Sequence, residues 1–396
     1  MPVSTSGTVT GVWSVPLSDI EVDDEVVAVV RETVESGWWS MGPRVAELEA
    51  RLSEQTGALH ALAVSSGTAA LHVALLAVGC GPGDEVVLPS LNFVAAANAV
   101  TRVGATPIFC DVVGLEDLNL DPDDLSAAIG PRTKAVVVLH YGGFACDLDA
   151  ALEITEGRGI AVIEDAAHAP GATWRGRALG TVGAIGCFSF FSNKNVPVGE
   201  GGAVVTSDTA LADRLRLLRS HGMTTLTWQR HEGQASEYDV LEAGLNFRID
   251  EIRAALAALQ LSRLPRANSA RLGHVVHYRE LLDGVEGISF PFRDKSSLQA
   301  SAHHLAVVVL PHGVARNAVR EALTAERIQT SVHYPPIHRF TAYRGVGARR
   351  PLPRTEEVAD RILTLPLFPH MSGADVELVA DVLVRAVRDI AGSDAV

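Results

Sequence analysis

The sequence predicts an α/β protein: a large domain with a mostly parallel sheet between helices, followed by a smaller C-terminal α+β domain. Two observations carry this expectation. Between residues 60 and 206, short apolar runs alternate with helical stretches. Strands that are apolar throughout, not at every second position, are covered on both faces, as parallel strands are. After about residue 250 the alternation gives way to long helical stretches and short strands. The expected division is therefore 1–250 and 251–396.

The elements follow in order. The first dozen residues are an uncharged stretch rich in Ser, Thr, Gly and Val, and no element is expected there. Residues 25–35 and 44–55 carry apolar residues at helical spacing, joined by the turn-rich Gly37-Trp-Trp-Ser-Met-Gly-Pro43. Apolar runs bounded by turn residues then mark strands at 61–64, 85–88, 106–109, 135–139 and 160–163. Helices at 68–78, 93–103 and 147–155 separate most of them. Two more strands, 185–190 and 203–206, finish the sheet. Beyond these, helices are expected at 252–264 and 269–282, broken at Pro265, because proline lacks the amide hydrogen and crowds the preceding turn. Strands at 288–290, 305–310 and 328–332, and helices at 314–326 and 373–390, complete the smaller domain.

Composition narrows the function classes. The 396 residues are 47% apolar and 20% charged, enough to bury a full core. A net charge of −14 and the lack of a basic stripe argue against a nucleic-acid partner. No apolar run reaches membrane-spanning length, and no charged and apolar leader pattern opens the chain, so a cytoplasmic protein without a membrane partner is expected. Cys80, Cys110, Cys146 and Cys187 are scattered without a CxxC pair, and are expected to be small buried apolar residues. No metal is expected, because the His and acidic residues show no ligand spacing such as HxxxH.

Three segments carry chemistry. The chain has three lysines, Lys134, Lys194 and Lys295, among 33 basic residues. Lys194 sits in Phe188-Ser-Phe-Phe-Ser-Asn-Lys-Asn-Val-Pro-Val-Gly-Glu-Gly-Gly202. An amine can lose its proton and attack a carbonyl, whereas a guanidinium stays protonated. Lys194 is therefore the candidate Schiff-base residue, with Ser189 five residues before it as a candidate phosphate contact. The second segment, Val64-Ser-Ser-Gly-Thr-Ala-Ala-Leu71, reads as a strand-to-helix junction. Gly67 and Thr68 there suit a phosphate cradle, though Ser and Thr before a helix are also ordinary caps. The third, Val162-Ile-Glu-Asp-Ala-Ala-His-Ala169, ends a strand where α/β sheets bind ligands. Asp165 could pair with a protonated ring nitrogen, or cap the next turn. His168 could face a cofactor, or be a satisfied core histidine. A phosphate anchor, a partner for a pyridinium nitrogen and a Schiff-base lysine together are what pyridoxal 5′-phosphate needs.

With these segments in place, the chain resembles the DegT/DnrJ/EryC1/StrS family of PLP-dependent aminotransferases, of fold type I. The resemblance runs from Pro16 to about Asp389. It rests on the segments above and on Gly81-Pro-Gly-Asp-Glu-Val-Val-Leu-Pro-Ser90, Gly244-Leu-Asn-Phe-Arg-Ile249 and Val332-His-Tyr-Pro-Pro-Ile-His338. It implies a seven-stranded-type sheet in a PLP-binding large domain, Lys194 as the aldimine lysine and Asp165 as the partner of the pyridine nitrogen. It also implies His168 near the phenolic oxygen, Phe93 stacked on the ring, and Gly67, Thr68 and Ser189 on the phosphate. Asn246 matches an asparagine that reaches the phosphate of the neighbouring subunit, which implies a homodimer with shared active sites. His333, His338 and Trp39 fall on the substrate side. Met41 and Asn92 stand where many members carry Thr. The implied reaction moves an amino group from L-glutamate or L-glutamine to a keto-sugar, with a nucleotide-linked keto-deoxysugar as acceptor, in amino sugar biosynthesis. A cyclitol ketone as acceptor, or a non-catalytic regulatory or scaffold role for the same fold, are the alternatives.

Overall fold

The computed structural model describes residues 12–393 apart from 226–227, 229–230, 232, 234–236 and 348. The expectation for the first dozen residues lies outside the described residues, except at Val12.

Seven strands form the central sheet: β1 (His60–Val64), β2 (Glu85–Pro89), β3 (Thr106–Cys110), β4 (Thr133–Leu139), β5 (Ala161–Asp165), β8 (Ile185–Ser189) and β9 (Gly202–Thr206). A small hairpin, β6 (Thr173–Trp174) and β7 (Arg177–Ala178), stands apart. The sheet order is β1-β9-β8-β5-β4-β2-β3, and β9 alone runs antiparallel to its neighbours. The expected parallel sheet is present, and its strands are buried almost throughout. Alternate residues feed two cores. Val87, Val136, Val138 and Val205 point to one face, where α2 (Pro43–Thr56), α5 (Pro122–Ala128) and α6 (Leu148–Thr155) pack. Val86, Val137, Ile163 and Val204 point to the other, against α3 (Gly67–Ala77), α4 (Ala95–Arg102) and α7 (Thr209–Arg219). Helix α1 (Asp24–Glu35) precedes them, capped by the Asp23 side chain on the Val26 N–H.

The expected break at Pro265 is not there: α8 (Glu251–Leu282) is one helix of 32 residues with Pro265 inside it. Packing overrides the local cost of proline. Ala254, Ala257, Leu261 and Leu264 sit in the first core, while Val275, Tyr278 and Leu282 belong to a third core farther along the chain. That third core gathers around the antiparallel pair β10 (Ala306–Val309) and β11 (Ile362–Leu365), with α10 (Arg316–Ala325) and α12 (Gly373–Ser393). The short α9 (Lys295–Ala300) and α11 (Pro353–Arg361) complete this half. Two expected strands reduce to isolated bridges, 288–290 to Ser289 with Val309, and 328–332 to Ile328 with Val15 and Ser331 with Thr364. Strands β6, β7 and β11 and helices α5, α7, α9 and α11 have no counterpart among the expected elements. Among the described residues no helix is long and apolar enough to cross a membrane. The four cysteines are free and buried, as expected.

Candidate active site

Register brings the separate segments to one edge of the sheet. Gly202 of β9 pairs with Val64 on one side and Ser189 on the other. The end of β1, the end of β8 and the start of β9 therefore lie side by side. One strand further on, Asp165 pairs with Cys187 of β8 and Leu139 of β4. The twelve residues between β8 and β9 fold back over this edge and carry Lys194, whose N–H donates to the Phe191 carbonyl at 2.8 Å.

The result is a cavity of about 410 Å³ whose wall includes Gly67, Thr68, Phe93, Asp165, His168, Ser189, Lys194 and His333. At one end is the N-terminus of α3, where Ser66 caps the helix by accepting from the Ala69 N–H at 3.1 Å. The first turn thus presents backbone N–H groups and a positive dipole end. Gly67 is required by contact: a Cβ there would lie 2.7 Å from Ser189 Cβ and 3.0 Å from its Oγ. Ser66 supplies the cap of the sequence reading, while Gly67 and Ser189 form a concavity beside it.

Asp165 is buried, and burial raises its pKa. Its Oδ1 accepts from the Ala167 N–H at 3.2 Å. Nearby, buried Asn92 Nδ2 completes no hydrogen bond. The adjacent Glu164 points the other way along the strand and is saturated. It accepts from Gly180, Val182 and Gly183 N–H groups at 2.6–2.7 Å and pairs with His140 Nε2 at 2.9 Å. Of the two carboxylates, Glu164 holds the fold and Asp165 faces the cavity.

Burial lowers the Lys194 pKa to about 8, against the opposing charge of Asp165. Its Nζ lies 3.4 Å from His304 Nε2. Asn195 donates its amide nitrogen to Asn268 Oδ1 and the Ala302 carbonyl, so its oxygen faces His304 Nδ1 at 3.0 Å. That contact places the His304 proton on Nδ1 and leaves Nε2 as an acceptor toward the lysine. Burial first, and Lys194 second, hold His304 well below the usual histidine range, so it is neutral. His168 has the reverse tautomer. Its Nδ1 accepts from the Gly142 N–H at 3.3 Å, so its Nε2 donates to the Tyr334 hydroxyl at 2.7 Å. The Tyr334 proton is then free to point into the cavity that this residue lines.

The other sequence candidates are distributed differently. Phe93 is 56% exposed on the cavity wall, its ring centroid 5.9 Å from that of Tyr334. His333 is buried with Nδ1 on Thr364 Oγ1 at 2.9 Å, and burial lowers its pKa to about 3. His338 does not line the cavity: Ser90 Oγ holds its Nδ1 at 2.7 Å and Glu356 its Nε2 at 3.2 Å. Trp39 also stands away from it, donating to the Val34 carbonyl at 3.1 Å. Asn246 is exposed on its own chain and does not line this cavity. Sequence reasoning missed His304 and Tyr334 as wall or neighbour residues, and marked Asn92 only as a departure from the family pattern. Tyr334 had a signal in its place between His333 and His338, and Asn92 in its place before Phe93.

Comparison with known proteins supports the same reading. Residues 21–384 match the DegT/DnrJ/EryC1/StrS aminotransferase family. The chain is 40% identical over 96% of both chains to the spore coat polysaccharide biosynthesis protein SpsC of Bacillus subtilis (strain 168). Among solved structures it is similar to the aminotransferase TlmJ from Streptoalloteichus hindustanus, at 35% identity and a TM-score of 0.87, covering 96% of this chain and 100% of that one. It is also similar to S. venezuelae DesV in complex with a ketimine intermediate, at 34% identity and a TM-score of 0.85, covering 94% and 98%. The chain belongs to the DegT/DnrJ/EryC1/StrS aminotransferase family and is an aminotransferase.

Proposed function

We propose that this aminotransferase uses pyridoxal 5′-phosphate held by Lys194 to move an amino group from L-glutamate or L-glutamine to a keto-sugar, with a nucleotide-linked keto-deoxysugar as the acceptor class. One observation carries the reading: a single cavity joins a lysine of lowered pKa, a buried carboxylate and an open helix N-terminus. The name of SpsC, a polysaccharide biosynthesis protein, supports the sugar acceptor.

The residues present fit the cofactor. The α3 N-terminus, Gly67, Thr68 and Ser189 would hold its phosphate. Asp165 would hold the ring nitrogen protonated, with the buried Asn92 side chain beside its carboxylate. Phe93 would cover the ring face, with His168 and Tyr334 at the phenolic oxygen. When bound, the cofactor supplies an electron sink for the charge left at the donor α-carbon.

The chain's own residues do the rest. Lys194 would take the proton from the donor α-carbon and later return one to the acceptor carbon. A pKa near 8 leaves part of the amine neutral at pH 7, as a general base requires. His304 Nε2 accepts from Lys194 and orients its lone pair. Neutral His168 fixes Tyr334 as a hydroxyl donor.

Asn246, exposed on its own chain, is assigned to the phosphate of a second copy in a homodimer with shared active sites. His338 and Trp39 are kept as outer substrate contacts only, since neither lines the cavity. The division into 1–250 and 251–396 belongs to the same proposal, with α8 joining the halves. A cytoplasmic location is supported by four free cysteines.

The test is the visible spectrum of the PLP-loaded protein before and after L-glutamate. A cofactor band that bleaches supports the donor half-reaction, and a panel of keto-sugars then identifies the acceptor. A band indifferent to glutamate and glutamine rejects the donor assignment. Folded protein that forms no band rejects the cofactor.

A further inference from the structure

The turn that carries Lys194 also closes a second cavity. This one, of about 470 Å³, lies between residues 18–25, helix α8 and residues 367–370, and it meets the first at Asn193 and Lys194, which line both. On its wall stands Arg271 of α8, only 6% exposed, and its Nη1 has no hydrogen-bond partner. Burial lowers the Arg271 pKa to about 10. A buried guanidinium without a counter-charge costs stability. Its persistence at a cavity wall points to a partner that comes from outside the chain.

The acidic residues of the same cavity have other partners. Asp23 and Glu25 both bond Arg263, and Asp19 Oδ2 pairs with His370 Nε2 at 3.1 Å. Glu21 is exposed. The charge of Arg271 reaches His304, the residue whose Nε2 lies against Lys194 Nζ. Arg271 and Lys194 both line the second cavity, and the charge of each bears on His304.

We infer that this second cavity is a carboxylate subsite, in which Arg271 pairs with a carboxylate of the amino donor while the donor's amine reaches the Lys194 end. The inference rests on the proposed donor reaction and names the residue that recognises the donor. A planar guanidinium fork matches a carboxylate through two parallel N–H···O bonds. A neutral sugar ring offers it no counter-charge. A phosphate of a nucleotide is the competing anion, and the experiment separates the two.

The probe is glutarate, a dicarboxylate without an amine, titrated calorimetrically into PLP-loaded protein. Wild type is expected to bind it, with at least a tenfold loss in Arg271→Gln and a smaller loss in Arg271→Lys. Arg271→Gln should keep the cofactor band and raise the KM for glutamate by a similar factor, with kcat less affected. In thermal melts without ligand, Arg271→Gln should melt at or above wild type, and glutarate should raise only the wild-type Tm. Equal glutarate affinity in wild type and Arg271→Gln overturns the inference. So does a wild type that binds inorganic pyrophosphate through Arg271 but not glutarate. If Arg271→Gln fails to fold, the same titration of Arg271→Lys decides, and undiminished affinity there overturns it. If glutamate and glutamine leave the wild-type cofactor band unchanged, the donor reading fails by itself, and the glutarate titration still reports on the subsite.

Discussion

The Nζ of Lys194 lies 3.4 Å from the Nε2 of His304, a residue 110 positions away in the chain. The Asn195 amide holds the far side of the imidazole, so the near nitrogen is an acceptor for the lysine. The pairing sets the lysine's hydrogen bond without adding a second positive charge beside it.

Its pH dependence follows. Burial lowers the Lys194 pKa to about 8, so the neutral amine grows as pH rises through 8. The rate at which cofactor-free protein captures PLP should climb over that window and level above it. His304→Phe removes the acceptor that favours the charged form and should move the midpoint down by about one pH unit, the order expected for one hydrogen bond to a charged group. Stopped-flow absorbance against pH gives both curves, and coincident midpoints would dismiss the role of His304.

Lys194→Arg keeps a cation but no transferable proton. Turnover should fall by at least about a thousandfold, with an unchanged circular dichroism spectrum. Near-normal activity would remove Lys194 from the chemistry. Lys194→Met tests the burial cost. The folded pKa lies below the unfolded one, so the penalty is full below pH 8 and disappears as pH rises past the unfolded value of about 10.5. Cofactor-free Lys194→Met should gain stability on the order of 1 kcal/mol at pH 7, discounted for partial solvent access, and nothing at high pH. Equal gains at both would refute the cause.

Asp165→Asn keeps the shape of the strand end and removes the charge. Turnover should drop by roughly a hundredfold or more, the scale of losing one positioned electrostatic group. PLP should still bind, more weakly, as read by equilibrium dialysis. A variant with unaltered kcat would leave Asp165 as a turn cap only.

Gly67→Ala places a methyl 2.7 Å from Ser189 Cβ. The α3 N-terminus must then shift from the Ser189 side chain, and the affinity for PLP should fall about tenfold or more. In a Ser189→Gly background, which already lacks one proposed phosphate contact, Gly67→Ala should cost little further affinity because the obstructing side chain is gone. An equal loss in that background would mean that the contact is not the cause.

Glu164→Gln replaces an acceptor for three N–H groups and His140 with a side chain that is half donor. The loss should be about 3–5 kcal/mol, as for one broken member of a buried charge network. Burial raises the Glu164 pKa, but the His140 and backbone hydrogen bonds outweigh it and hold the group below its ordinary value. Its contribution is therefore full above the unfolded pKa of about 4.5 and fades as pH falls through the lower folded value. Chemical denaturation at pH 7 and at low pH should show the variant's deficit shrinking with acid, and a constant deficit would count against the ionised network.

Much of the fold is legible in the sequence because its main signal is local. A strand buried on both faces needs only apolar residues in a row, and Val136, Val137 and Val138 declare themselves without knowing their neighbours. Lys194 is legible for another reason: in a chain that uses arginine for nearly every cation, a lysine in a glycine-rich turn marks a site where the amine itself matters. Pro265 misleads because its local cost is real. Only the cores on either side of it, one at Leu261 and Leu264 and the other at Val275 and Tyr278, show why the helix continues.

The sequence by itself determined the α/β class, the strand-end segments and the three chemical types that meet at them, since each depends on residues close together in the chain. Tertiary structure decided which of Glu164 and Asp165 faces the cavity, because adjacent strand residues point to opposite sides. It decided that His304 serves Lys194 and that His338 serves Ser90 and Glu356. It left Arg271 Nη1 without a hydrogen-bond partner among the described residues, in a side chain that lines a cavity. These depend on side chains brought together from distant positions, and hydrogen-bond geometry and burial act only once that distance has closed.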